Sequence, residues 1–138
     1  MRSLRVAVVG LLLLGAAACA NGMSFTATRT EPIVRITERQ DKGTVRLRRG
    51  QQLRVVLHST YWQFQKAPNP SVLRLERAPK VRPRLSGCVP GGGCGTVTAT
   101  YLAAARGSST VSAERSSCGE AMGCTPDAGR YTVRVVVR

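Results

Sequence analysis

Five cysteines carry the most definite chemistry in this sequence. Cys88 and Cys94 bound the segment CVPGGGC, and Cys118 and Cys124 bound CGEAMGC, with five residues between the partners of each pair. An even set of this kind suits a disulfide framework in an oxidising compartment. Four cysteines allow three connectivities. The expectation is two local bridges, each closing a glycine-bearing loop by itself. In the chain-entropy account, a bridge across so short a loop stabilises by roughly 2–2.5 kcal/mol. The competing chemistry is a four-cysteine zinc site. Its ligands usually stand closer together, and thiols in an oxidising compartment tend to pair with each other. Neither a metal nor a cofactor is expected.

Cys19 points to something different. Residues 1–18 begin with Arg2 and Arg5 and continue as Val6 to Ala18, apolar apart from glycines. The run is too short for a spanning helix of about 20 apolar residues and reads as a signal peptide. Gly15-Ala16-Ala17-Ala18 are small enough to enter a peptidase cleft in extended form. With Cys19 they resemble a bacterial lipobox, although Ala16 stands where leucine is usual. The resemblance implies a diacylglycerol on the Cys19 thiol and a lipid-anchored protein outside the cytoplasm. Ordinary secretion after Ala16-Ala17-Ala18 is the alternative. Residues 19–32, short, threonine-rich and aperiodic, read as the lipidated N-terminus and a tether.

The parts of an enzyme are missing from the sequence. His58 is the single histidine, and no nucleophile or metal ligand is spaced to work with it. The seven acidic residues are scattered without an acid/base couple. There is no Gly-x-Ser-x-Gly elbow and no phosphate-cradling Gly-Lys-Ser/Thr loop. The expectation is that the protein binds and does not catalyse.

Charge narrows what it could bind. The net charge is +14, and loss of Arg2 and Arg5 with the leader would leave +12. Such a field attracts anionic headgroups, polymers and nucleic acid. No run of five basic residues and no interleaving of basic with aromatic residues is present, so no nucleic acid is expected. One functional alternative is therefore a basic envelope lipoprotein that binds an anionic cell-surface polymer.

The elements that must position these residues are strands. Ile33–Ile36, Thr44–Arg48, Leu53–His58, Val72–Glu76, Thr96–Leu102, Thr110–Glu114 and Arg130–Val137 alternate at period two or are rich in β-branched residues. Asp41-Lys42-Gly43 and Arg49-Gly50-Gln51 supply turns. Residues 78–90, with three prolines, read as mostly loop. About seven short strands without helical periodicity predict one all-β domain over 33–138, built as two packed antiparallel sheets.

From Val45 onward the order of features resembles the chagasin-type inhibitors of papain-like cysteine proteases. LRRGQQLRVVLHSTYW, GGGCGTVTATYLAAARGSSTVSAER and YTVRVVVR carry the resemblance, over about half of the chain. It implies an immunoglobulin-like β-sandwich that presents three neighbouring loops as a wedge for a protease cleft. By position these are residues 59–62, 91–95 and 115–117, with Thr60, Tyr61, Trp62, Gly91, Gly92, Gly93, Gly95 and Arg115 as partner-binding candidates. The first loop is shortened relative to the family, Cys94 interrupts the glycine motif, and Arg115-Ser116-Ser117 replaces Arg-Pro-Trp. The implied partner is a protein, either a cysteine protease or another partner acquired by a diverged relative, bound by a monomer.

Overall fold

The structure is a computed structural model that describes residues 31–119 and 122–138. The leader, Cys19 and the tether as far as residue 30 lie outside the described residues.

Ten strands occur among the described residues. The first three are β1 (Val34–Ile36), β2 (Thr44–Leu47) and β3 (Gln52–His58). They are followed by β4 (Gln63–Phe64), β5 (Leu73–Pro83), β6 (Gly95–Ala103) and β7 (Gly107–Glu114). The chain ends with the short pair β8 (Ser117–Gly119) and β9 (Met122–Gly123), then β10 (Arg130–Val137). One four-stranded sheet has the order β1-β3-β6-β5 and the other β2-β10-β7-β4, while β8 and β9 form a separate hairpin.

Period-two sequence becomes two-faced burial. Leu53, Val55 and Leu57 of β3, Val97, Ala99, Tyr101 and Ala103 of β6, and Tyr131, Val133, Val135 and Val137 of β10 all belong to one core. Fully burying one Val or Leu side chain contributes at most about 1.5–3 kcal/mol, so these three strands supply much of the drive to fold. Phe64 reaches from the second sheet to Tyr101 in the first, edge to face with ring centroids 6.5 Å apart. Tyr101 and Tyr131 are the largest fully buried side chains. Burial pushes the Tyr101 hydroxyl up to about 12. Burial raises Tyr131 too, helped by the negative charges of Asp41 and Glu38, and its hydroxyl has no hydrogen-bond partner among the described residues.

All seven expected strands are present and the all-β sandwich stands, with two corrections. The sheets are mixed, because β1 runs parallel to β3 and β2 parallel to β10. Between β1 and β3 the chain crosses to the other sheet to form β2. It therefore re-enters beside β1 in the same direction. Secondly, residues 78–83 are strand and not loop, since β5 continues to Pro83. Pro79 and Pro83 are tolerated there because β5 is the outer strand of its sheet, where a missing N–H breaks no inner ladder.

Candidate functional site

The three loop segments singled out in the sequence converge at one end of the sandwich. Two of them are joined by backbone. The Ser59 N–H donates to the Gly95 carbonyl at 2.9 Å, and the Thr60 N–H to the Gly93 carbonyl at 2.8 Å. The Tyr61 hydroxyl donates to the Gly91 carbonyl at 2.9 Å.

Glycine is required where the loops touch. Gly93 has φ +61°, and a Cβ there would stand 2.3 Å from Cε2 of Tyr61. Gly95 has φ +132°, and its Cβ would meet the Arg82 carbonyl oxygen at 2.2 Å. The glycine run thus does more than relax the Cys88–Cys94 turn, because it lets the Tyr61 ring lie directly on the neighbouring backbone.

The third segment is joined through the single tryptophan. Trp62 is buried, and its indole N–H donates to the His58 carbonyl at 3.1 Å. The Arg115 guanidinium lies 4.5 Å from the centre of the Trp62 ring. Arg115 is held in turn by its Nε–H to the Ala128 carbonyl, 3.1 Å, and by its backbone N–H to the Gly129 carbonyl, 2.9 Å. Of the candidate residues, Trp62 and Arg115 therefore brace the site from beneath and behind. Thr60, Tyr61 and the glycines line its surface.

Both local disulfides are present, Cys88–Cys94 with Cα atoms 5.9 Å apart and Cys118–Cys124 with Cα atoms 5.0 Å apart. All four thiols are consumed, and no group of three His, Cys, Asp or Glu among the described residues could hold a metal ion. The two bridged loops border one cleft of about 320 Å³, with Val89 and Gly92 on one side and Gly119 and Met122 on the other. Val89 and Met122 are 52 % and 65 % exposed, and Leu85 nearby in sequence is 87 % exposed. This apolar tip was not foreseen in the sequence. Isolated apolar residues inside cysteine loops carry no periodicity, and only their failure to be buried gives them meaning.

His58 stands at the rim of the site. Its ring Nδ1 is 2.9 Å from Oε2 of Glu38, and the same carboxylate accepts from the His58 backbone N–H. The pair fastens the 3-10 turn (Glu38–Gln40) to the end of β3.

No protein-family profile matches this chain, and no curated protein sequence does. Solved structures do match. A cysteine protease inhibitor from Entamoeba histolytica, EhICP2, superposes with a TM-score of 0.55 at 15 % identity, covering 77 % of this chain and 95 % of that one. The solution structure of amebosin gives a TM-score of 0.52 at 16 % identity, covering 78 % of this chain and all of that one. The fold is of the chagasin type. At identities this low the likeness is one of fold. In this chagasin-type fold two disulfides brace the loop end.

Proposed function

We propose that the loop end is a protein-binding surface that docks into the cleft of a papain-like cysteine protease, without catalysis by this chain. The observation that carries the reading is the fusion of residues 59–61 with 91–95, backed by Arg115 on Trp62, into one preorganised edge of a chagasin-type domain. Preorganisation lowers the ordering cost of association, and an exposed apolar tip marks a contact surface. EhICP2, which shares the fold, is a cysteine protease inhibitor.

The chain enters β1 at the opposite end of the sheet from this surface, since Val34 pairs with Leu53 whereas His58 and Gly95 lie at the loop end. A lipid on Cys19 would therefore hold the domain with its loop end directed away from the membrane. Titrating the purified protein against papain tests the reading. Stoichiometric loss of peptidase activity is expected, weakened by Val89→Asp. No inhibition at micromolar protein overturns the inhibitor form.

A further inference from the structure

The loop end uses few of the charges. The outer face of the β1-β3-β6-β5 sheet holds a second constellation, brought together by two irregularities of β5. On the central strand β6, Thr96, Thr98, Thr100 and Leu102 share the outer face, opposite the buried Val97, Ala99, Tyr101 and Ala103. Their partners on β5 are Arg82, Lys80, Arg77 and Arg74 respectively. Directly paired residues share a face, so all four cations stand on it.

Strict alternation would not achieve this. Arg74, Arg77 and Lys80 are each three residues apart, and an odd step turns a side chain to the opposite face. The register shifts between Leu75 and Arg77 and between Arg77 and Lys80, and each shift restores the outward direction. On the other side, Arg54 of β3 pairs with Thr100 and Arg35 of β1 pairs with Arg54. One row across the sheet therefore reads Arg35, Arg54, Thr100, Arg77. At about 4.8 Å between strands it places three guanidinium-bearing residues along roughly 15 Å.

Like charges side by side are destabilising, and among the described residues none of these six cations makes a salt bridge. Two carboxylates reach the ends of this face, Glu76 accepting from Gln52 at the Leu102 end and Glu38 of the 3-10 turn held by His58 at the Thr96 end. The floor forms a trough of about 470 Å³. Val56 faces outward within it and is still only 5 % exposed, as expected when arginine stems lie along the sheet with their heads in water.

We propose that this face binds a linear phosphate-bearing polymer that is not a nucleic acid. Guanidinium forks pair with phosphate oxygens, threonine hydroxyls donate between them, and a flat row of charges matches a chain laid across the strands. Among the described residues the single ring at the trough is the His58 imidazole, tied to Glu38 at its end; no Phe, Tyr or Trp lies on the face to stack a base, and no exposed large apolar group projects from it to enter a bilayer.

Inorganic polyphosphate is the probe, measured against the purified protein over a salt series. The comparison is between R54Q/R77Q/K80Q and R46Q/R130Q/R134Q, which removes the same charge from the other sheet. Wild type and the second variant are expected to bind alike. The first should lose affinity at least tenfold and about 2 from the slope of log K against log salt. Equal loss in both variants, or undiminished binding by the first, overturns the proposal. So does a preference for phosphatidylglycerol vesicles or a single-stranded oligonucleotide over polyphosphate. Papain titration of R54Q/R77Q/K80Q, expected to match wild type, separates this face from the loop end.

Discussion

The guanidinium of Arg115 lies 4.5 Å from the centre of the Trp62 ring, one step beyond the Gln63–Glu114 pair that ends the β4–β7 ladder. Trp62 immediately precedes β4, and Arg115 immediately follows β7, its neighbour in the same sheet. A partly desolvated contact of this type is worth about 0.5–2 kcal/mol. Arg115→Ala should lower unfolding stability by about that much in a denaturant titration. Arg115→Lys should recover less than half, because an ammonium neither stacks as a plane nor reproduces the bond from Nε to Ala128. Trp62 is the only tryptophan, so its emission reports the site directly. A red shift in Arg115→Ala before the main transition is expected.

Gly93 and Tyr61 form the second test. A methyl group at residue 93 cannot coexist with the present Tyr61 ring and must also adopt a left-handed backbone. Gly93→Ala should cost about 1–3 kcal/mol. Combining it with Tyr61→Ser removes the principal clash and leaves the backbone strain and a tight fit to the Ser59 hydroxyl, 3.0 Å away. The pair should therefore be strongly non-additive in a double-mutant cycle, whereas additive losses would show that the ring is not what excludes a side chain.

The residues that were legible in the sequence are those whose role is local. Alternation in Leu53-Arg54-Val55-Val56-Leu57 and Tyr131–Val137 announces strands, because side-chain direction in a strand follows from position alone. The resemblance located the three loops for the same reason, since order along the chain is all that a motif needs. Prolines hid the second half of β5, because their exclusion from sheets lapses at an edge that sequence does not reveal. The six-cation face was equally hidden. Arg74, Arg77 and Lys80 read as scattered until two register shifts turn them to one side. Nor does sequence indicate that Trp62 lies beneath Arg115, which depends on the pairing of the two-residue strand β4 with β7.

The disulfides should prove to be braces and not a substitute for the core. Cys88→Ser/Cys94→Ser and Cys118→Ser/Cys124→Ser should each cost roughly 2 kcal/mol, the loop-closure entropy of so short a ring. Circular dichroism should keep its β character in both, since no cysteine belongs to the buried cluster. Binding at the loop end should suffer more than stability does, because each bridge borders the cleft that carries Val89 and Met122. Loss of all folded signal on removing either bridge would place the main stabilisation in the loops instead.

Alkali should find the two buried tyrosines. Burial holds the Tyr101 phenol neutral up to about 12, and burial raises Tyr131 as well, with Asp41 and Glu38 adding to the effect. In the unfolded chain both ionise near 10. A raised folded value means that the native state retains a proton which the unfolded state releases. The contribution is therefore intact below about pH 10 and shrinks as pH climbs through the folded values, by about 1.4 kcal/mol per pH unit for each tyrosine. Unfolding free energy should be level from pH 8 to 9.5 and fall steeply above 10. Tyr101→Phe should remove part of that fall. Tyr131→Phe should remove another part and cost little at neutral pH, because the hydroxyl it deletes has no partner to lose. A profile that stays level to pH 11.5, or that falls equally in the double phenylalanine variant, would place the alkaline transition elsewhere than these two phenols.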